Sequence, residues 1–364
     1  MKRVICLLTA LLLLFLPACG DTAGDPTQPP ESPSAPSETS LLTPEPTPET
    51  TPAPESFYEP LTGLPCEGDI SGIRPVAIML NNVKAAMPQQ GNSKADIIYE
   101  VPAEGGATRM LGVYQHPEDV GLIGSVRSAR QYYWELAKGH DAVYIHAGGS
   151  PEFYETKSSL DLFTVDGVRG KYSWEGAGMF WRDRERIEGH YYAIEHSLLT
   201  SGEAITAMLE KEGVSAHADG YRYQMSFADD GTPAAGQSAV TVTVYFYNSK
   251  FDVFRYDGSS GLYLAEEYGE PYIDGNDNTQ VAVTNLIVLQ TTCTVVDDAG
   301  RITVDLSSGS GWFACGGQMV PITWEKGSAN QQLRYYTSDG SPLTLGRGKS
   351  YVCIIPTSRT VTAE

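Results

Sequence analysis

Two rhythms of apolar and polar residues divide the chain after residue 56. Up to about Val214, short apolar or alternating runs recur at "RPVAIML" (74–80), "ADIIYEV" (95–101), "ATRMLGVY" (107–114) and "DAVYIHA" (141–147), and each predicts a strand. Between them, "SARQYYWELAKG" (128–139) follows the helical period, with Ala129, Tyr132, Tyr133, Leu136 and Ala137 on one face. Ser128 and Gln131 stand at capping-box spacing, and Gly139 after Lys138 reads as a stop. A second helix is expected from Ser150, with Pro151 as its first residue and Glu152 in the first turn. A third falls within "SLLTSGEAITAMLEKEG" (197–213).

From about Ser215 the period becomes two. "AVTVTVYFYN" (239–248) places Val240, Val242, Val244 and Phe246 on one face. "VAVTNLIVLQTT", "RITVDL", "MVPITW", "LRYY" and "SYVCII" follow, separated by turns such as Asp339-Gly340. The expected fold class is α+β: a mixed α/β domain over 57–214, followed by a mostly antiparallel, β-rich domain over 215–364.

The segment before residue 57 follows neither rhythm. "MKRVICLLTALLLLFLPAC" has a basic start, an apolar stretch too short for a comfortable membrane span, and small Ala18 before Cys19. Residues 1–18 therefore read as a signal peptide. Leu16-Pro17-Ala18-Cys19 resembles the lipobox of bacterial lipoproteins, which implies diacylglycerol on the Cys19 sulfur and a membrane-tethered, extracytoplasmic protein. The rest of 19–56 is rich in Pro, Thr, Ser and Glu, without Lys or Arg, and is expected to be a disordered stalk. It would reach roughly 35 Å as a coil and about 110 Å as extended polyproline II.

The chain carries a formal charge of −20. It opposes long-range attraction to nucleic acid, so no nucleic-acid partner is expected. After Cys19, Cys66, Cys293, Cys315 and Cys353 have no zinc-type spacing, and either bridges or free thiols suit an extracytoplasmic chain. No cofactor is expected.

Candidate chemistry concentrates in the first module, which holds five of the six histidines. Arg127 precedes the expected cap at Ser128, and Arg130 falls in the expected first turn. Cations there oppose the helix dipole, by about 0.3–1 kcal/mol each, so an anion is expected to meet them. It is either a ligand phosphate or carboxylate, held with help from Arg109, or an internal carboxylate such as Glu100 or Glu104. In "YIHAGGSPEF", a strand ending at His146 leads through Gly148-Gly149 into a helix, a geometry that admits a ligand's charged end. Ser150 there reads as an N-cap rather than a nucleophile. His146 reads as a buried, hydrogen-bonded strand residue before a catalytic base. "FWRDRERIEGH" adds Arg182, Asp183, Arg186 and His190, and a helix would place Arg182 and Arg186 on one face.

The strings "RPVAIMLNNVKAAMPQQGNSKADIIYEVPAEGGATRMLGVY", "IGSVRSARQYYWELAKGHDAVYIHAGGS" and "FWRDRERIEGH" resemble the YerB-like bacterial lipoprotein family, catalogued as domain of unknown function 3048. "GSGWFACGGQMVPITWEKG" and "DGSPLTLGRGKSYVCIIP" resemble its C-terminal domain. The resemblance places Glu104, Arg109, Arg127, Ser128, Arg130, His146 and Arg182 at motif positions. It implies an envelope lipoprotein linked to cell-wall synthesis, and it supplies no catalytic mechanism. The expected function is a non-enzymatic binding or regulatory factor, anchored in the cell membrane by its lipid. Its partner would be a cell-wall polymer, a precursor or a wall-synthesis protein. The alternative is a hydrolase or transferase acting on an anionic wall component, with Glu104 or His146 handling the proton.

Overall fold

The computed structural model describes residues 56–159, 161–176, 178–186 and 193–364. The expected signal peptide, Cys19, the stalk up to residue 55 and His190 lie outside them. In the first half, β1 (Val76–Asn82), β2 (Ile97–Pro102) and β3 (Thr108–Tyr114) pair antiparallel, with β3 between the other two. After α1 (Gln131–Gly139), β4 (Val143–His146) adds parallel to β1. After α2 (Pro151–Thr156), β5 (Thr164–Asp166) adds parallel to β4. α3 (Gly202–Glu212) closes this half.

The second half begins with β6 (Thr241–Tyr245), β7 (Phe251–Asp257) and β8 (Leu262–Glu267), an antiparallel group with β7 in the middle. β9 (Asn285–Thr291), β10 (Ser308–Cys315) and β11 (Gln318–Glu325) follow as a second antiparallel run. β12 (Ser350–Pro356) lies parallel to β9 on one edge and to β2 on the other. β13 (Val361–Ala363) returns beside β6. The β12–β2 pairing joins both halves of the chain into one eleven-stranded sheet, ordered β11-β10-β9-β12-β2-β3-β1-β4-β5 along its main path, with Gln237–Ser238 beyond β11. The architecture is α+β, mixed in the first half and antiparallel-dominated in the second.

Both faces of this sheet are covered, which is why its central strands read as continuous apolar runs. Strand alternation sends Val76, Ile78 and Leu80 to one face and Ala77 and Met79 to the other. The first face meets Val242, Val244, Phe246 and Phe254 of the β6–β7 sheet, together with Ile205 and Met208 of α3. The second is covered by Tyr132, Tyr133, Leu136 and Ala137 of α1. Val240, expected on the buried face, is exposed; it precedes β6 and its N–H bonds instead to the Glu364 carbonyl. All four cysteines after Cys19 are free thiols, with Cys315 and Cys353 buried.

α1 ends at Gly139, the expected stop, but the left-handed residue is Asp141 (φ 48°), two positions further on. Gly139 serves packing, since a Cβ there would lie 2.9 Å from the Gln331 carbonyl oxygen. Leu198–Ser201 is a strand rather than the start of α3, paired with Leu122–Gly124 and Trp181–Arg182.

Candidate functional site: an arginine-lined cavity

α1 begins two residues later than the Ser128 capping pattern predicts. Arg130, in extended conformation, occupies the N-cap of α1 and makes no side-chain cap bond. Residues 126–129 are extended because tertiary pairing takes their backbone: Arg127 N–H donates to the Met79 carbonyl at 3.0 Å and Ala129 N–H to that of Gly148 at 2.9 Å. Ser128 is therefore not a cap, and Arg130, expected in the first helical turn, is itself the N-cap residue.

The two arginines also part company. Arg130 Nε donates to Glu104 Oε1 at 2.6 Å, and its Nη2 contacts the same oxygen. Arg109 Nη2 pairs with Glu104 Oε2 at 3.3 Å, while its Nη1 donates to the Ser128 carbonyl at 3.2 Å. Burial alone would push the Glu104 carboxyl up, but Arg109 and Arg130 together hold it below the usual range. For Arg130 and Arg109, the companion anion is thus Glu104. Glu100, the other internal candidate, is engaged elsewhere.

Arg127 faces a cavity of about 300 Å³ whose walls include Ser128, Arg169, Arg182 and Glu195. Its Nη1 donates to the Glu195 carbonyl at 2.9 Å, and Arg182 Nη1 donates to the Ile194 carbonyl at 2.6 Å. Both Nε atoms are buried without a hydrogen-bond partner among the described residues. Arg169 lies 4.1 Å from the Tyr154 ring centroid. Among the described residues, no carboxylate oxygen comes within 4.0 Å of Arg127, Arg169 or Arg182; the Glu195 side chain is the nearby acid. Burial first, and neighbouring Arg109 second, lower Arg127 to about 10, so it remains a cation at neutral pH. The same causes in kind, burial and then Arg127, lower His196, whose Nδ1 lies 2.8 Å from Asn81 Nδ2.

Arg182 reaches this cavity from a strand, Trp181–Arg182, and not from the expected helix. Arg186 accordingly points elsewhere, donating to the Ala86 carbonyl at 2.8 Å and Gln90 Oε1 at 3.2 Å. His146 is not among the cavity walls. Its ring is buried against Tyr144 and Phe153, Nδ1–H donates to the Gly148 carbonyl at 2.8 Å, and burial lowers its pKa against the pull of Asp166. The Gly148 N–H is taken by Asp166 Oδ1 at 2.8 Å, so it is not offered to a ligand. Gly149 is required for packing, since a Cβ would come 2.6 Å from Phe153 Cδ1. Ser150 caps α2 as expected, accepting from Phe153 N–H at 3.3 Å.

A second polar cluster lies in the core between β2, β7, β8 and β12, and of its members only Glu100 was among the candidates from the sequence. Glu100, Asp252 and Glu267 bring carboxylate oxygens within 4.8 Å of one another, a donor set that suits a cation. Lys250 supplies the positive charge: Nζ lies 3.0 Å from Glu100 Oε1 and contacts Asp252 and Glu267. Tyr351 and Thr108 hydroxyls each donate to Glu100 at 2.5 Å. Lys250 and its hydrogen-bonding neighbours keep Glu100 low despite burial, whereas burial and like charge push Asp252 well up and Glu267 up. One ammonium cannot balance three buried carboxylates, so the cluster retains acid protons when folded. A raised folded pKa stabilises fully below the unfolded value, 3.8 for Asp252, and that contribution is lost as pH rises through the folded value. Asp252→Asn, which mimics the protonated acid, is expected to flatten the loss of stability as pH rises above about 4, by up to about 1 kcal/mol per pH unit in urea unfolding. An unchanged slope would mean that Asp252 is ionised in the folded protein.

Two family models match the chain: the N-terminal domain of a protein of unknown function (DUF3048) over residues 61–215, and its C-terminal domain over 240–352. A Bacillus subtilis relative described as "Putative lipoprotein YerB" is 31% identical over 304 residues, covering 82% of this chain and 86% of the relative. A crystal structure of YerB protein from Bacillus subtilis superposes with a TM-score of 0.70 at 26% identity, covering 84% of this chain and 99% of that one. None of these descriptions names a ligand or a reaction. Among the described residues, no helix is long and apolar enough to cross a membrane. With two-domain agreement over most of its length, the chain belongs to the DUF3048 family of YerB-like proteins.

Proposed function

We propose that this protein is a lipid-anchored, extracytoplasmic binding or regulatory factor that holds an anionic group of a cell-envelope component between Arg127, Arg169 and Arg182. The observation that carries this reading is the cavity itself: among the described residues, three guanidinium groups line it without a carboxylate oxygen within 4.0 Å, beside an Arg109–Glu104–Arg130 network that is already ion-paired. A phosphate or carboxylate entering there would supply acceptors for the unbonded Nε atoms and offset the local positive charge. Cys19 would carry the lipid, and the Pro- and Glu-rich stalk would hold the folded part away from the bilayer. A wall polymer, a wall precursor or a wall-synthesis protein bearing such an anion fits as partner. Glu104 is ion-paired with two arginines, and the His146 ring is buried away from the cavity walls, which favours binding over proton transfer.

Thermal unfolding in inorganic phosphate tests this reading. At about ten times Kd, phosphate is expected to stabilise by about 1.4 kcal/mol and raise the Tm by about 3 °C. Arg127→Gln and Arg182→Gln are each expected to abolish that rise. A rise that persists in both variants would place the anion elsewhere, and no rise in the wild type would remove the site.

A further inference from the structure

A larger cleft, of about 770 Å³, shares no wall residue with the arginine cavity. One wall is the segment 221–227, where Tyr221, Tyr223, Met225 and Phe227 are half-buried and alternate with exposed Arg222, Gln224 and Ser226. Alternate positions of an extended chain lie roughly 6.6 Å apart on one side, so the aromatic residues form a stripe. Tyr58 faces it from the opposite end of the sequence, with the Arg347 guanidinium 4.2 Å from its ring centroid.

The stripe is held from beneath by a continuous hydrogen-bonded chain. Arg74 Nη2 pairs with Asp141 at 3.1 Å, His217 Nδ1–H donates to Asp141 Oδ2 at 3.1 Å, and the Tyr223 hydroxyl donates to His217 Nε2 at 2.9 Å. Tyr221 stacks on His217 at 4.1 Å, and its hydroxyl donates to the Gly139 carbonyl at 3.2 Å. Their hydroxyls are thus used inside the protein, which fixes the rings before any ligand arrives and limits the entropy lost on binding. The polar rim combines two guanidinium groups, Arg222 and Arg347, with two carboxylates, Glu59 and Asp219.

We infer that this cleft binds a neutral linear oligosaccharide. A pyranose ring presents C–H groups on its faces and hydroxyls around its edge. Fixed aromatic rings cover the former, and a rim carrying both strong donors and strong acceptors satisfies the latter. With Arg347 already paired to Asp229 at 2.8 Å, no single sign of charge dominates the rim, which favours a polyol over an anion or a cation. The site is separate from the arginine cavity, so each stands or falls alone.

The test is calorimetric titration of the purified protein with a β-1,4-linked N-acetylglucosamine hexamer and a β-1,4-linked glucose hexamer. Saturable binding of at least one is expected, weakened about tenfold by Tyr221→Ala and by Tyr58→Ala. Tyr58 is 43% exposed, so its loss reads binding without compromising the fold. Tyr223→Phe keeps the ring and should keep most of the affinity, and Arg127→Gln should leave it unchanged. Absence of binding to both hexamers at about 5 mM would overturn the proposal. So would equal binding by wild type and both alanine variants, or tyrosine-dependent binding of a proline-rich peptide in place of either sugar.

Discussion

Lys250→Met is expected to lower the unfolding free energy by about 3–5 kcal/mol, because it strips the cation from three buried carboxylates while filling the same space. Lys250, Glu100, Asp252 and Glu267 are all nearly inaccessible, so water cannot replace the ammonium. The remaining acids must then take up protons or remain unpaired, and stability should fall more steeply with rising pH than in wild type. Adding Glu267→Gln to Lys250→Met should recover part of the loss, since it removes one of the uncompensated charges; urea unfolding of the single and double variants measures this coupling. A Lys250→Met protein as stable as wild type would show that these groups do not carry the assigned charges. Because Glu100 lies on β2 while Lys250 and Glu267 follow in the second half, the cluster ties the chain's halves at the β2–β12 seam.

Glu104→Gln is expected to act in two opposite directions. Removing the carboxylate leaves Arg109 and Arg130 without their shared partner and should destabilise by about 1–3 kcal/mol, less than a fully buried pair because Glu104 retains some contact with water. The same change removes a negative charge near Arg127, so phosphate should stabilise the variant more than it stabilises wild type. Chemical unfolding with and without phosphate separates the two effects. If stability falls and the phosphate effect also disappears, Glu104 is shaping the cavity rather than neutralising its neighbours.

The strands that position these groups were legible because burial on both sheet faces left uninterrupted apolar runs, as in 74–80 and 95–101. The cap at Ser150 was legible because its pattern is local and nothing competes for it. Ser128 offered an equally good local pattern and lost, since Met79 and Gly148 take the backbone of 127–129 into extended pairing. That contest involves residues about fifty positions away and twenty positions away, and no window of sequence contains it. Arg127 and Arg130 were both recognisable as cations needing a partner, but only folding shows that Glu104 serves one and a cavity the other. Arg169 and Glu195 were missed because they come from separate segments that meet only at that cavity. The Lys250 cluster left one readable trace: in "SKFDVF", Lys250 and Asp252 share the inward rhythm with Phe254, while Phe251 points out. Charged residues on a strand's apolar face mark a buried ionic site, even when their partners are far away in sequence.

The most direct test is a crystal of the protein soaked in selenate, located by anomalous scattering. A peak is expected in the cavity between Arg127 and Arg182, with oxygens within hydrogen-bonding reach of their guanidinium groups, and no such peak in Arg127→Gln. A selenate bound only beside Arg109 and Arg130, or none in the cavity of the wild-type protein, would rule out an anion site between Arg127 and Arg182.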